Sequence, residues 1–296
     1  GHMDKHLRIA VSMGMDPVQA VTLCTLNAAE CFGLRGKGAI APGRDADFIL
    51  VDDLKDFRVR QVFTAGRLIA EDGKILSPLD DAAAGAPSHS IHIRPLADDA
   101  LALPVRTGKA RVIGLQPRSL VTLNLVRDVA VDDAGLFQCA LNPGLTKVAV
   151  IERHKATGKI GLGLLEGYGL RGGAVATTIS HDSHNIVAAG DNDADMLLAV
   201  RELEKLGGGI VSVHEGAIRR LPLPIAGLMT SEAPETVGAT LRAMIDAAHA
   251  ELGIPEGVEP FMSLSFMALP VIPELKLTAR GLFNVNLFSF VGVEAD

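Results

Sequence analysis

One stretch of the 296-residue chain, residues 77–90, is rich in alanine, aspartate, proline, glycine and serine and has no hydrophobic periodicity. This composition is typical of a linker or a long loop, because it offers no apolar face that a helix or strand could bury. We therefore expect the chain to fold as two parts, one on each side of this stretch. Hydrophobic residues make up 48% of the sequence, which is enough for real cores to form.

The first part begins with helical patterns and continues with short strands. Asp16 before Pro17, with Gln19 at the capping-box position, predicts the start of a second helix, and Gly33 predicts its end. Three short apolar runs predict strands, at Phe48–Val51, Val59–Thr64 and 67–70. Residues 1–3 look like a tag remnant, and a native sequence that begins inside a helical pattern indicates a truncated chain.

The second part, residues 91–296, alternates apolar runs with loops and contains two stronger helical patterns. One pattern follows Asp191 and stops at Gly207, and the other follows Ser231. Between them, two short runs around Glu215 predict a hairpin. The fold class is therefore mixed α/β or α+β.

Composition excludes several function classes. The formal net charge of −7 argues against a nucleic-acid partner, because such a protein needs clustered Lys and Arg. No apolar run reaches the roughly 18–20 residues that cross a membrane, so we expect no membrane partner. Three scattered cysteines form no disulfide framework, which fits a cytoplasmic location.

The densest group of chemically active side chains lies between two apolar, strand-like runs, at Ser180-His181-Asp182-Ser183-His184-Asn185. We call residues 180–185 the polar loop. Its two imidazoles, carboxylate, hydroxyls and amide can exchange protons near neutral pH, and the two histidines could share a metal if the loop curls. The alternative is a polar turn whose side chains bond to its own backbone.

Other motifs are weaker. Residues 167–172 match G-x-G-x-x-G but lead into a strand pattern, whereas a dinucleotide site needs the motif to open a helix. Asp191, Asp193 and Asp195 are explained by the dipole of the helix that they begin. The sequence contains no H-x-H pair, Walker A loop, G-x-S-x-G elbow, H-E-x-x-H motif or zinc nucleobase-deaminase motif.

Two groups of residues carry a family resemblance. Residues 25–34 and 38–47 resemble the last barrel helix of an amidohydrolase-superfamily enzyme and its return into a small β-sandwich. The polar loop, residues 190–193 and residues 223–229 are similar to the extra C-terminal domain of bacterial adenine deaminases. Together these motifs extend over essentially the whole chain.

The resemblance implies an architecture: terminal barrel helices at 4–34, a partial β-sandwich at 35–76, and a C-terminal α/β domain at 91–296. It also implies hydrolysis of adenine to hypoxanthine and ammonia by hydroxide bound to a pair of divalent metals, manganese or iron. The barrel strands that hold those metals have no counterpart here. We therefore assign no metal ligand or other cofactor site to this chain and expect the chain alone to be inactive.

The polar loop is the predicted site. We assign His181, Asp182 and His184 as accessory catalytic residues, and Ser180 and Asn185 as substrate-binding residues, on the hypothesis that the loop reaches the barrel mouth in the complete enzyme. Adenine is then the small-molecule partner. Strands in residues 48–70 should lack neighbours, so we also expect a homo-oligomer or disorder there.

Two alternatives stay open. The chain could be a non-catalytic accessory module for oligomerisation or ligand binding, since it contains no complete catalytic group. The parent enzyme could also act on another aminopurine.

Overall fold

The computed structural model of the chain describes residues 2–76 and 87–295. It divides into two compact units, Gly1–Ala82 and Ala83–Asp296. Most of the predicted linker, residues 77–86, lies outside the described residues, as do the two terminal residues. The fold class is mixed α/β, as predicted, and none of the described helices is long and apolar enough to cross a membrane.

The first unit consists of short helices followed by one antiparallel sheet. Its helices are α1 (Met3–Ser12), α2 (Pro17–Thr22), a π-helical turn (Leu23–Asn27) and α3 (Ala28–Cys31). Its strands, paired in chain order, are β1 (Phe48–Val51), β2 (Val59–Thr64), β3 (Arg67–Glu71) and β4 (Lys74–Ile75). The predicted start of α2 is confirmed, because the Asp16 carboxylate accepts a 2.9 Å hydrogen bond from the Gln19 amide.

The first unit has a small core and an exposed sheet edge. Leu7, Ala20 and Phe57 form its buried cluster. β1 is an edge strand, and its Ile49 and Leu50 side chains are 48% and 47% exposed. An edge with unpaired backbone groups and exposed apolar side chains is open to pairing with another chain.

The second unit is built around an eight-stranded sheet. Its strands are β5 (Lys109–Leu115), β6 (Thr122–Asp128), β7 (Leu145–Ile151), β8 (Ile160–Glu166), β9 (Gly173–Thr177), β10 (Ile186–Gly190), β11 (Gly209–His214) and β12 (Ala217–Pro222). Their order in the sheet is β12-β11-β9-β10-β7-β8-β5-β6. Neighbouring strands are antiparallel except β5 and β8. The predicted hairpin is confirmed as β11 and β12.

Helices and a second sheet cover both faces of this central sheet. They are α4 (Asp193–Leu206), α5 (Pro234–Ala250), α6 (Pro260–Met267) and a small sheet of β13 (Leu275–Thr278), β14 (Gly281–Asn284) and β15 (Ser289–Phe290). α4 packs on one face, whereas α5, α6 and the small sheet pack on the other. The central strands β7, β9 and β10 are therefore apolar along almost their whole length.

The two ends of β9 have different surroundings. The glycine-rich motif at residues 167–172 leads into β9, which confirms that no helix follows it. The amides of Gly172 and Gly173 donate to the Asp191 carboxylate at 2.5 and 3.0 Å, so the anion bound there belongs to the protein itself. The opposite end of β9 continues into the polar loop.

Candidate functional site

The polar loop connects the neighbouring antiparallel strands β9 and β10 and folds back on itself. The His184 amide donates to the Ser180 carbonyl at 2.6 Å, and the Ser180 amide donates to Nδ1 of His184 at 3.3 Å. His184 has a positive φ of 48°. The His184 ring therefore bonds to the loop's own backbone, a contact of the kind that a polar turn makes.

His184 is held as a neutral imidazole. Its Nδ1 accepts a hydrogen bond, so Nδ1 carries no proton and Nε2 carries one. Burial, followed by the positive charges of His181 and Arg153, lowers the pKa of His184. The carboxylate of Asp182 acts in the opposite direction but does not outweigh them. This histidine is consequently a hydrogen-bond donor at neutral pH.

His181 and Asp182 lie on the solvent side of the loop, next to the exposed Ser183. Their side chains are 39% and 90% exposed, and His181 Nδ1 lies 3.8 Å from the Asp182 carboxylate. The imidazole of His181 lies against the Phe266 ring of α6, with 4.7 Å between ring centroids. Its amide donates to the Ser265 carbonyl at 3.0 Å. α6 therefore supports the loop from beneath.

Ser180 and Asn185 lie deeper than the other predicted site residues. Ser180 is fully buried, and its hydroxyl has no hydrogen-bond partner among the described residues. The Ser265 hydroxyl shares both properties. Asn185 is also buried, and its side-chain oxygen accepts a 3.3 Å hydrogen bond from the Arg153 amide.

Arg153, which sequence reasoning missed, anchors the loop from below. Its side chain is only 1% exposed, although the group is charged. Its guanidinium donates to the carbonyls of His184, Ser90 and Ala226, and also to the Ser90 hydroxyl. No carboxylate of the described residues pairs with it, and burial lowers its pKa. Arg153 therefore ties the loop to residues 223–229, the apolar segment that follows β12.

A short turn after β7 presents Arg153 and its neighbour. The Glu152 carboxylate accepts hydrogen bonds from the amides of His154, Lys155 and Thr157. Burial alone would raise the pKa of Glu152, but these bonds and the Thr157 hydroxyl outweigh it and lower that pKa to about 2. His154 Nε2 lies 2.7 Å from the Ser183 carbonyl. The turn therefore adds a second contact to the polar loop.

Metal binding does not fit these residues. The ring centroids of His181 and His184 are 6.0 Å apart, but no third potential ligand among the described residues joins these two rings. Within residues 2–76 and 87–295, no three His, Cys, Asp or Glu side chains form a group that could hold a metal. A metal pair of the kind that the amidohydrolase resemblance implies therefore finds no ligand set in the described residues.

The weaker acidic candidates have structural partners. Asp191 binds backbone amides, and Asp193 lies 2.6 Å from the buried Lys147 ammonium. Asp195 bonds with Asn192, the residue that caps α4. The explanation by helix dipole and capping is therefore sufficient for this group.

Comparison with known proteins identifies both parts of the chain. Residues 119–289 match the adenine deaminase C-terminal domain family, and residues 2–69 match the amidohydrolase family. A curated adenine deaminase of Nitratidesulfovibrio vulgaris is 61% identical over 99% of this chain and 51% of its own length. An adenine deaminase of Geobacillus kaustophilus is 44% identical over the whole chain and 52% of its own length.

A third curated adenine deaminase, from Clostridium acetobutylicum, is 42% identical over 98% of the chain and 51% of its own length. The chain thus spans about half the length of the curated relatives that it matches. The polar loop, α6 and residues 223–229 all fall within the matched segment 119–289. Residues 2–69, before that domain, match the amidohydrolase family, and the chain belongs to the adenine deaminase C-terminal domain family.

Proposed function

We propose that this chain is the C-terminal half of an adenine deaminase, which hydrolyses adenine to hypoxanthine and ammonia. The observation that carries the proposal is the match of residues 119–289 to that domain family, with an amidohydrolase segment before it. The described residues offer no ligand set for the divalent metal pair, manganese or iron, that such an enzyme uses to activate water. We therefore assign the activation of water to the other half of the enzyme and expect the chain alone to be inactive.

The polar loop supplies accessory groups to that reaction. His181, Asp182 and His184 are the accessory catalytic residues, since two of them face solvent and the third is a neutral donor. A neutral imidazole can donate to a ring nitrogen of the purine without adding charge to a closed site. The exposed His181 beside Asp182 can exchange the proton that the departing ammonia requires.

Ser180 and Asn185 complete the substrate side of the loop. The Ser180 hydroxyl is buried and unpartnered among the described residues, so a polar group of a bound ligand or a water can satisfy it. The Asn185 side-chain oxygen accepts a hydrogen bond from the Arg153 amide, and Asn185 follows His184 directly in the chain. These positions support the proposal that both residues bind substrate from the buried side of the loop.

Substitution of the two histidines tests the loop. In the full-length enzyme, His181→Ala and His184→Ala should each lower kcat for ammonia release from adenine by about 10²-fold, as expected for positioned proton-transfer groups. His214→Ala is a matched control, because the His214 ring, like that of His184, hydrogen-bonds to the backbone, here at the Gly172 carbonyl, but His214 lies at the opposite end of β9. Unchanged kcat and kcat/KM in both loop variants would refute the catalytic role.

A purine panel tests the substrate. Adenine should release ammonia faster than other aminopurines under the same conditions. If another aminopurine reacts faster than adenine, the enzyme is an amidohydrolase of different specificity. If no purine releases ammonia, the alternative of a non-catalytic module is favoured.

We further propose that the protein is a cytoplasmic homo-oligomer with no nucleic-acid or membrane partner. The edge of β1 supports self-association, because among the described residues β1 has a neighbouring strand on one side only and its Ile49 and Leu50 side chains are exposed. The net charge of −7 supports the exclusion of nucleic acid.

A further inference from the structure

Arg153 holds together parts of the chain that are far apart in sequence. Its guanidinium contacts lie 31 positions away at His184, 63 at Ser90 and 73 at Ala226. Hydrogen bonds from a charged guanidinium are roughly twice as strong as neutral ones, and its planar fork fixes their directions. One side chain therefore fixes the relative positions of the polar loop and the segment 223–229.

The contacts of Arg153 are unusual for a buried charge. Buried guanidinium groups are ordinarily paired with carboxylates, whereas the partners of Arg153 among the described residues are carbonyl oxygens and one hydroxyl. Desolvation of an unpaired guanidinium costs free energy, and hydrogen bonds to carbonyl oxygens return only part of that cost. The specific arrangement that these bonds fix is therefore a better explanation of Arg153 than a gain in stability.

The segment on the other side is shaped to accommodate this side chain. Gly227 has a φ of +72°, and a Cβ there would lie 3.0 Å from the Arg153 guanidinium. The Thr178 hydroxyl at the end of β9 donates to the Gly227 carbonyl at 2.5 Å. The segment is thus fixed against both the sheet and the arginine.

We propose that Arg153 is a positioning residue of the deaminase site, which locks the polar loop and the segment 223–229 into one arrangement in which the His184 Nε2–H is aimed at substrate. This inference rests on the proposed function of the loop. The positive charge of Arg153 also acts on the pKa of His184, which is lowered first by burial and then by His181 and Arg153. Asp182, which opposes them, and His154 are the other charged or titratable groups that act on it.

Amide exchange and histidine titration in this chain test the positioning directly. In Arg153→Met, hydrogen exchange of residues 180–185 and 223–229 should accelerate together by about tenfold to a hundredfold, the effect of losing a charged hydrogen bond. The pKa of His184, followed by NMR, should rise toward its ordinary value of about 6.5. Unchanged exchange and titration would overturn the proposal.

Two further variants separate positioning from stability. Lys276→Met is the matched control, because Lys276 is also a fully buried cation bonded to a carbonyl, that of Leu120, and burial lowers its pKa to about 8. Lys276→Met should leave the amide exchange of the polar loop and the pKa of His184 unchanged. If Arg153→Met does not fold, Arg153→Lys is measured instead, because lysine retains the positive charge but lacks the planar guanidinium that bonds to several acceptors at once. In Arg153→Lys, faster amide exchange in the polar loop together with a His184 pKa that stays low supports the proposal. Amide exchange at the wild-type rate contradicts it.

Kinetics of the full-length enzyme then connect positioning to chemistry. Arg153→Met should lower kcat for adenine by about 10²-fold with a smaller change in KM, as expected when a catalytic group is displaced by about an ångström. Arg153→Lys should recover part of that loss. If exchange and titration change in the chain while kcat stays at the wild-type value, the catalytic function of the loop fails but the locking by Arg153 stands.

Discussion

Gly227 and Gly216 have similar backbone conformations but different surroundings. A comparison of the two therefore measures the effect of the contact between Gly227 and Arg153. Their φ values are +72° and +79°. A Cβ added at Gly227 would contact the Arg153 guanidinium, whereas a Cβ added at Gly216 would have no atom of the described residues within 4 Å. Substitution by alanine should cost about 1 kcal/mol at Gly216, from the left-handed backbone conformation alone. Gly227→Ala should cost about 2–3 kcal/mol, because the guanidinium must also move.

Urea unfolding of the two variants measures this difference. Gly227→Ala should also accelerate amide exchange in the polar loop, since a displaced Arg153 loses its bond to His184. Equal unfolding free energies for the two variants would mean that the close contact between Gly227 and Arg153 does not exist in solution.

The polar loop could be predicted at the residue scale, whereas its anchor could not. The six residues 180–185 stand out because they are consecutive and chemically dense between two apolar runs. Arg153 gives no such signal, because an arginine near a turn is ordinary and its partners lie 31 or more positions away. The burial of Ser180 likewise depends on α6, which sequence reasoning did not predict.

Elements defined by local signals were predicted well. α2 begins where its cap residues indicate, and α4 ends at Gly207 in the left-handed conformation. α6 was missed because it is apolar on nearly all sides, so Pro260–Met267 has no amphipathic period. Its burial under the polar loop explains that composition. The order of the eight strands could not be predicted either, because it depends on long-range pairing.

The β1 edge gives the prediction at the scale of an element. Ile49→Lys should weaken self-association of the chain, because a charge on an exposed edge strand opposes pairing with another strand. Ile75→Lys is the matched control, since Ile75 lies on β4, the other edge of the same sheet, and is 59% exposed. Sedimentation velocity at several concentrations would report the change. A wild-type chain that stays monomeric at all concentrations would contradict the proposed homo-oligomer.

At the scale of the whole molecule, the two units match two different protein families. The first unit matches the amidohydrolase family, and the second matches the adenine deaminase C-terminal domain. The fold class and the family were predictable from sequence because their motifs are local and specific. The proposed roles of His181, Asp182, His184, Ser180 and Asn185 remain predictions, as does the domain boundary at residues 34–35.

A chimeric enzyme tests the central claim most directly. This chain would replace the matching half of the Nitratidesulfovibrio vulgaris adenine deaminase, which is 61% identical to it over 294 residues. Ammonia release from adenine would be measured for the chimera, for the remaining half of that enzyme, and for this chain alone. We predict release by the chimera only. Turnover of adenine by the chain alone, or a folded and metal-loaded chimera that releases no ammonia, would contradict the claim.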